Sequence, residues 1–281
     1  MNPKSTISES NSDIFSTDNR AIMGILNITD DSFYDGGKYI NEEQIILRCK
    51  DMLDEGASII NIGAQSSRPG ASQISSEYEI KKLLPIIKLL KKTFQNITIS
   101  VDTFWSNTAI KCFQEGANII NDISAGEIDK NMFPTIAELN IPYVMMHMQG
   151  LPHNMQNNPR YNNVTKEITL YFRKKINKLQ KLGFCKTIID PGFGFGKKIE
   201  HNYQILNNLE KFKSIESPIL VGVSRKSMIY DLLNTTPQYA LNGTSIINTI
   251  ALQNGANILR VHDVKEAKEC IKITRFAENN Y

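Results

Sequence analysis

An apolar run ends in a carboxylate, Asp190, which leads through a proline into the glycine-rich stretch DPGFGFGK, closing at Lys197. A buried strand ending this way lets the backbone approach a ligand closely at Gly192, Gly194 and Gly196 while the acid binds it. Taken alone, the segment also reads as a plain strand end at which Asp190 caps the next turn. The rest of the chain favours a site, because polar groups stand at the ends of other apolar runs as well. These are Asn27, Ser67 with Arg68, Asp102, Asn121 with Asp122, His147, Ser224 to Lys226, and Arg260 with His262. Asp102, Asp190, Asn121 and Lys226 match a flat heterocycle whose edge carries a guanidine-like row of donors, which a carboxylate answers with two parallel hydrogen bonds. Arg68, Arg260, His262 and Asn27 form a second set, cationic and amide, that matches phosphate or pyrophosphate. For Arg260 the competing reading is a salt bridge between strands.

The elements that must carry these groups alternate strictly. DEGASIINIG, QEGANIINDI and QNGANILRVH form a partial internal repeat, each a helix end, a glycine cap and a buried strand. Strands are expected at 21–28, 58–63, 97–102, 118–123, 143–147, 187–190, 219–223 and 258–261. Helical patterns fall between and after them at 42–55, 75–94, 106–115, 132–139, 164–182, 203–212, 241–253 and 264–276. Strands apolar on both faces and separated by helices imply a parallel sheet covered by helices. Eight such units in 281 residues favour a closed (β/α)8 TIM barrel, α/β in class, over an open doubly wound sheet. In either architecture ligands bind at the carboxyl ends of the strands, where the polar groups above lie.

The chain is 41% hydrophobic and 22% charged, enough for one large core with no block resembling a second domain. Residues 1–20 are rich in Ser, Asn and Asp and lack the apolar stretch of a signal peptide, so they are expected to be a disordered tail before one barrel domain over 21–281. A net charge of +3 gives no case for nucleic acid, and no segment is apolar enough to span a membrane, so the expected setting is the cytoplasm. Cys49, Cys112, Cys185 and Cys270 are scattered, as are the four histidines, which argues against disulfides and a zinc site.

The set ILNITDDSF, SSRPGA, SVDT, NDISAG, DPGFGFGK, GVSRKSMI and RVHD, in this order and spacing over 22–277, resembles dihydropteroate synthase. The resemblance implies a barrel enzyme that joins 6-hydroxymethyl-7,8-dihydropterin pyrophosphate to p-aminobenzoate and releases pyrophosphate in folate biosynthesis, and a family targeted by sulfonamides. It implies that Asp190, Asn121 and Lys226 bind the pterin, with Asp102 beside the reduced ring. Asn27, Arg68, Arg260 and His262 would hold pyrophosphate, with Mg2+ on Asn27. Phe33, Ser67, Arg68, Pro69, Phe195 and Ser227 would form the p-aminobenzoate pocket, and the assembly would be a homodimer through outer helices. Asp102, Lys226 and Asp190 would form the catalytic set. Ser67 stands where many members carry threonine, Asp30 where proline is common, and Trp105 where a basic residue is usual. A corrinoid-dependent methyltransferase with a pterin-binding barrel and a pterin-binding paralogue without turnover are the alternatives. Arg68, the SRKS stretch and RVHD favour the synthase.

Overall fold

The computed structural model describes residues 17, 19–28, 42–65, 73–150 and 154–280. Its elements in chain order are β1 (Ala21–Asn27), α1 (Glu42–Glu55), β2 (Ile59–Gly63), α2 (Ser76–Thr93), β3 (Ile99–Asp102), α3 (Ser106–Gln114), β4 (Ile119–Asp122) and α4 (Met132–Leu139). Then follow β5 (Tyr143–Met146), α5 (Val164–Gln180), β6 (Thr187–Asp190), α6 (Ile199–Asn207), β7 (Leu220–Val221), α7 (Ser227–Tyr230), α8 (Leu241–Gln253), β8 (Ile258–Val261) and α9 (Val264–Asn279). The sheet runs β6-β5-β4-β3-β2-β1-β8-β7, every named pair parallel, and a bridge between Ile189 and Ile219 joins its two ends. This is a closed (β/α)8 barrel, as the alternation of strand and helix signals requires.

Two sequence expectations are corrected. The helix expected over 203–212 is two pieces: α6 begins earlier, at Ile199, and a 3-10 segment, Leu209–Ile215, follows it. The early start is capped by His201 Nδ1, which accepts from the Lys198 N–H at 3.2 Å. Asn208 ends α6 at φ −116°, an amide residue of low helix propensity whose side chain donates to the Gln204 carbonyl at 2.8 Å. Strand β7 pairs over two residues only, with Leu220 opposite Ile258 and Val221 opposite Leu259. The repeat holds: Gly56, Gly116 and Gly255 end their helices at φ 107°, 113° and 99°. Residues 1–16 and 18 lie outside the described set. Arg20, just before β1, pairs with Glu278 at 2.5 Å.

The side-chain period of two along each strand sorts the sheet into an inner and an outer set. Ala21, Met23, Ile59, Ile119, Val144, Ile188, Leu220 and Ile258 pack together inside the barrel, while a larger apolar cluster lies between strands and helices. Two residues further along, the same inward direction brings in Asn121 after Ile119, Asp190 after Ile188 and Arg260 after Ile258, with Asp102 two beyond Ser100 on β3. Burial of the apolar layer therefore fixes the direction of the polar one, since a one-residue slip would turn both outward.

The loop after β6 folds back on the end of β5. Gly192 sits at φ 72°, and a Cβ there would lie 1.9 Å from the His147 carbonyl oxygen. Gly192→Ala is expected to lower stability by at least about 3 kcal/mol, from backbone strain plus a clash with main chain that cannot rotate away. Urea unfolding checks this, and a loss below about 1 kcal/mol would contradict the close approach.

Candidate active site

A cavity opens at the carboxyl end of the barrel, and Asp102, Asn121, Asp190, Phe195, Lys226 and Arg260 all line it. The residues that sequence assigned to the heterocycle thus meet in one place, and Phe195 joins them. Their connections differ from the expected division into a ring side and an anion side. The Arg260 guanidinium pairs with the Asp102 carboxylate at 2.7 Å, and the other Asp102 oxygen accepts from Asn121 Nδ2 at 2.7 Å. The structure therefore contains the strand-to-strand salt bridge that was the competing reading of Arg260. It crosses the mouth from β8 to β3, and Gly63 on β2 makes room: a Cβ there would stand 2.9 Å from an Asp102 oxygen.

The pair is incomplete as a network. Arg260 Nε and Asn121 Oδ1 are buried and find no hydrogen-bond partner among the described residues. Each such atom costs about 1–3 kcal/mol when left unpaired, so both favour a ligand that presents an acceptor to the guanidinium and a donor to the amide.

Asp190 is buried, and one of its oxygens accepts from the Gly192 N–H at 2.8 Å. Burial raises its pKa, and the charge of Lys226, the Gly192 hydrogen bond and the charges of Arg260 and Lys197 pull it back. Lys226 Nζ donates to the Phe193 carbonyl at 2.7 Å and lies 4.7 Å from the centre of the Phe195 ring. Burial lowers the Lys226 pKa to about 8, against the pull of Asp190, and Arg260 pushes the same way as burial. The ammonium and the carboxylate thus keep one another charged in a site where burial disfavours both.

The remaining candidates lie around this core. His262 Nδ1 is 3.0 Å from the Ser224 hydroxyl, and burial first, then Arg260, lower its pKa to about 4, so it is a neutral ring at physiological pH. Asn27 is the exposed final residue of β1, and Ser227 opens the four-residue α7 with Lys226 at the cap position. Neither these two nor His262 lines the cavity. Phe33, Ser67, Arg68 and Pro69, together with Asp30, lie outside the described residues. Trp105, the departure at the rim, donates from Nε1 to the Ile74 carbonyl at 3.2 Å and packs on Phe104.

Sequence reasoning missed Glu79. It lines the cavity, is fully buried, and accepts from the Thr103 hydroxyl at 2.5 Å, while burial raises its pKa to about 7. A signal was available: Glu79 shares the helical stripe of Leu83, Ile86, Ile87 and Leu90, so a charge fell on the buried face of α2. Lys197 was noted only as the end of a motif, although it is the most enclosed cation of the region, only 4% exposed.

Fold and cavity together define a barrel with a polar, charged site at its carboxyl end, and a family model described as "Pterin binding enzyme" matches residues 23–262. Dihydropteroate synthase of Escherichia coli K12 is 41% identical over 254 residues, covering 90% of this chain and 89% of the relative. That of Haemophilus influenzae is 39% identical over 260 residues, covering 92% and 94%. The crystal structure of Yersinia pestis dihydropteroate synthase in a sulfonamide drug complex superposes with a TM-score of 0.88 at 39% identity, over 94% of this chain and 96% of that one. A dihydropteroate synthase from Clostridium difficile, crystallised in the presence of pteroic acid, gives 0.87 at 35% identity, over 93% and 98%. The chain belongs to the dihydropteroate synthase family, enzymes of folate biosynthesis that act as transferases.

The opposed effects at Lys226 make a prediction. Replacing Asp190 by Asn removes the anion that favours the ammonium, so the Lys226 pKa should fall below about 8. Nuclear magnetic resonance of isotope-labelled lysine follows it directly, and an unchanged or raised value would contradict the coupling.

Proposed function

We infer that this enzyme binds 6-hydroxymethyl-7,8-dihydropterin pyrophosphate through Asp190, Asn121 and Lys226 and transfers its pterin-methyl group to p-aminobenzoate. The observation that supports this most directly is the convergence of Asp102, Asn121, Asp190, Lys226 and Arg260 on one cavity. Asp190 accepts from the pterin 2-amino group and N3–H, Asn121 bonds elsewhere on the same edge, and Lys226 reaches the pterin carbonyl and N5. The unpaired Asn121 Oδ1 suits such a donor edge.

Asn27, Arg68, Arg260 and His262 hold the pyrophosphate. His262, neutral at physiological pH, does so as a hydrogen-bond donor rather than as a cation. Arg260 exchanges partners in this reading: as the anion arrives, the guanidinium leaves Asp102 for phosphate oxygens, and Asp102 turns its charge on the pterin ring. When the methylene–oxygen bond breaks, the electron pair departs with pyrophosphate and positive charge grows on the reduced pterin, where Asp102 stabilises it. The arylamine nitrogen then forms the new bond and gives up a proton. No covalent enzyme intermediate is needed.

Among the described residues no group of three or more His, Cys, Asp or Glu could hold a metal. Asn27 would offer Mg2+ its amide oxygen, with water and substrate phosphate completing the oxygen ligands that ion prefers. The chemistry the ion would supply there is neutralisation of charge on the leaving group. Phe33, Pro69 and Phe195 enclose the p-aminobenzoate ring, Ser67 and Arg68 flank it, and Ser227 receives its carboxylate. Asp102, Lys226 and Asp190 are the catalytic set. A cytoplasmic homodimer completes the reading. It is supported by Ile246, Ile273 and Phe276, apolar and more than half exposed on α8 and α9, and by the absence among the described residues of any helix long and apolar enough to cross a membrane. Residues 21–281 form its single domain.

Calorimetry with two ligands tests the two halves of the site. Asp190→Asn should weaken the pterin alcohol and its pyrophosphate ester alike, by roughly 1.5–3 kcal/mol. Arg260→Ala should weaken the ester far more than the alcohol. Equal losses for both ligands in Arg260→Ala would leave Arg260 as a strand-closing residue only.

A further inference from the structure

Lys197 has no part in the reaction described above, yet its surroundings are built around its charge. Its Nζ donates to the Gly192 carbonyl at 2.8 Å and the Phe195 carbonyl at 2.9 Å, and lies 3.2 Å from the His147 carbonyl and 3.1 Å from His147 Nδ1. Four acceptors around one nitrogen suit an ammonium, which has three protons to give, better than an amine. These acceptors belong to two elements, the end of β5 and the loop between β6 and α6, so the ammonium fastens that loop to the neighbouring strand. The loop starts at Asp190, supplies the Phe193 carbonyl that receives Lys226, and places Phe195 in the cavity wall.

We propose that Lys197 is a positioning residue for pterin binding, fixing the loop after β6 and supplying positive charge that keeps Asp190 ionised. The inference rests on the assignment of Asp190 to the pterin edge. Asp190 is faced by Lys226 from the turn after β7, by Arg260 from β8, and by Lys197 and the Gly192 N–H from its own loop. His147 adds no charge, because burial holds its pKa well below the usual range. Lys197 itself, lowered by burial to about 7 and supported by Asp190, carries its charge below that pH. Removing that charge leaves burial less opposed, so Asp190 takes up its proton at higher pH and loses its capacity to accept from the pterin.

The test is affinity for 6-hydroxymethylpterin, measured by calorimetry as a function of pH, in the full chain carrying Lys197→Gln, Lys197→Met or Asp190→Asn. Glutamine keeps donors for the loop carbonyls and loses the charge, whereas methionine loses both. The acid limb of binding should move to higher pH in both Lys197 variants, so that affinity on the acid side falls relative to the natural protein. Lys197→Gln should stay within about threefold of the natural protein above neutrality, where Lys197 is itself losing its proton. Lys197→Met should add a loss that is the same at every pH. Asp190→Asn should bind weakly without an acid limb. An unmoved limb in both Lys197 variants, with Asp190→Asn weak, overturns the Lys197 proposal alone. Full-strength binding by Asp190→Asn overturns instead the pterin assignment beneath it. Failure of both Lys197 variants to fold, judged by circular dichroism, would make the residue a fold-holding one and also overturn the proposal.

Discussion

The Arg260–Asp102 pair is the contact on which the mouth of this barrel depends. It joins β8 to β3 over the intervening β1 and β2, and both side chains are about one-fifth exposed. At that burial the desolvation of two charges offsets much of their attraction, so the pair is a poor source of net stability. Its geometry is nonetheless held with care: Gly63 leaves room for the carboxylate and Asn121 occupies its second oxygen. A contact of small net energy that must be placed accurately suits a group that will change partners. The unpaired Arg260 Nε belongs to the same picture, since a phosphate oxygen can satisfy it while releasing Asp102.

On the far side of the cavity the charges are fastened rather than exchangeable. Asp190, Lys226 and Lys197 are tied to main-chain atoms of one loop, through the Gly192 N–H and the Phe193, Gly192 and Phe195 carbonyls. In the proposed reading the heterocycle meets a preorganised wall and the leaving group meets an arginine that changes partners. Such a division accords with chemistry in which ring recognition stays constant while charge on the leaving group grows.

Much of this was legible in the sequence because strand parity leaves few choices. Once the runs ending at Asp102, Asn121, Asp190 and Arg260 are recognised as buried strands, packing Ile119, Ile188 and Ile258 inward forces their polar neighbours two residues later into the mouth. Pairing across the barrel was not legible. Whether Arg260 meets an anion or a carboxylate depends on the sizes of side chains on strands between, above all Gly63, and no local pattern carries that information. Lys197 was hidden for a similar reason, because its four acceptors come from a loop folded back on β5. Glu79 was legible as a charge on the apolar stripe of α2, away from the strand ends that carry the other polar groups. The break in the helix over 203–212 turned on Asn208, whose effect is local and weak enough for apolar periodicity to mask it.

The exchange of Arg260 between Asp102 and the substrate anion is tested most directly by a crystal structure of the enzyme with 6-hydroxymethylpterin, magnesium and pyrophosphate bound. The guanidinium is expected to contact phosphate oxygens with its 2.7 Å bond to Asp102 broken, leaving the carboxylate against the pterin ring. An intact Arg260–Asp102 pair with pyrophosphate bound elsewhere would contradict it.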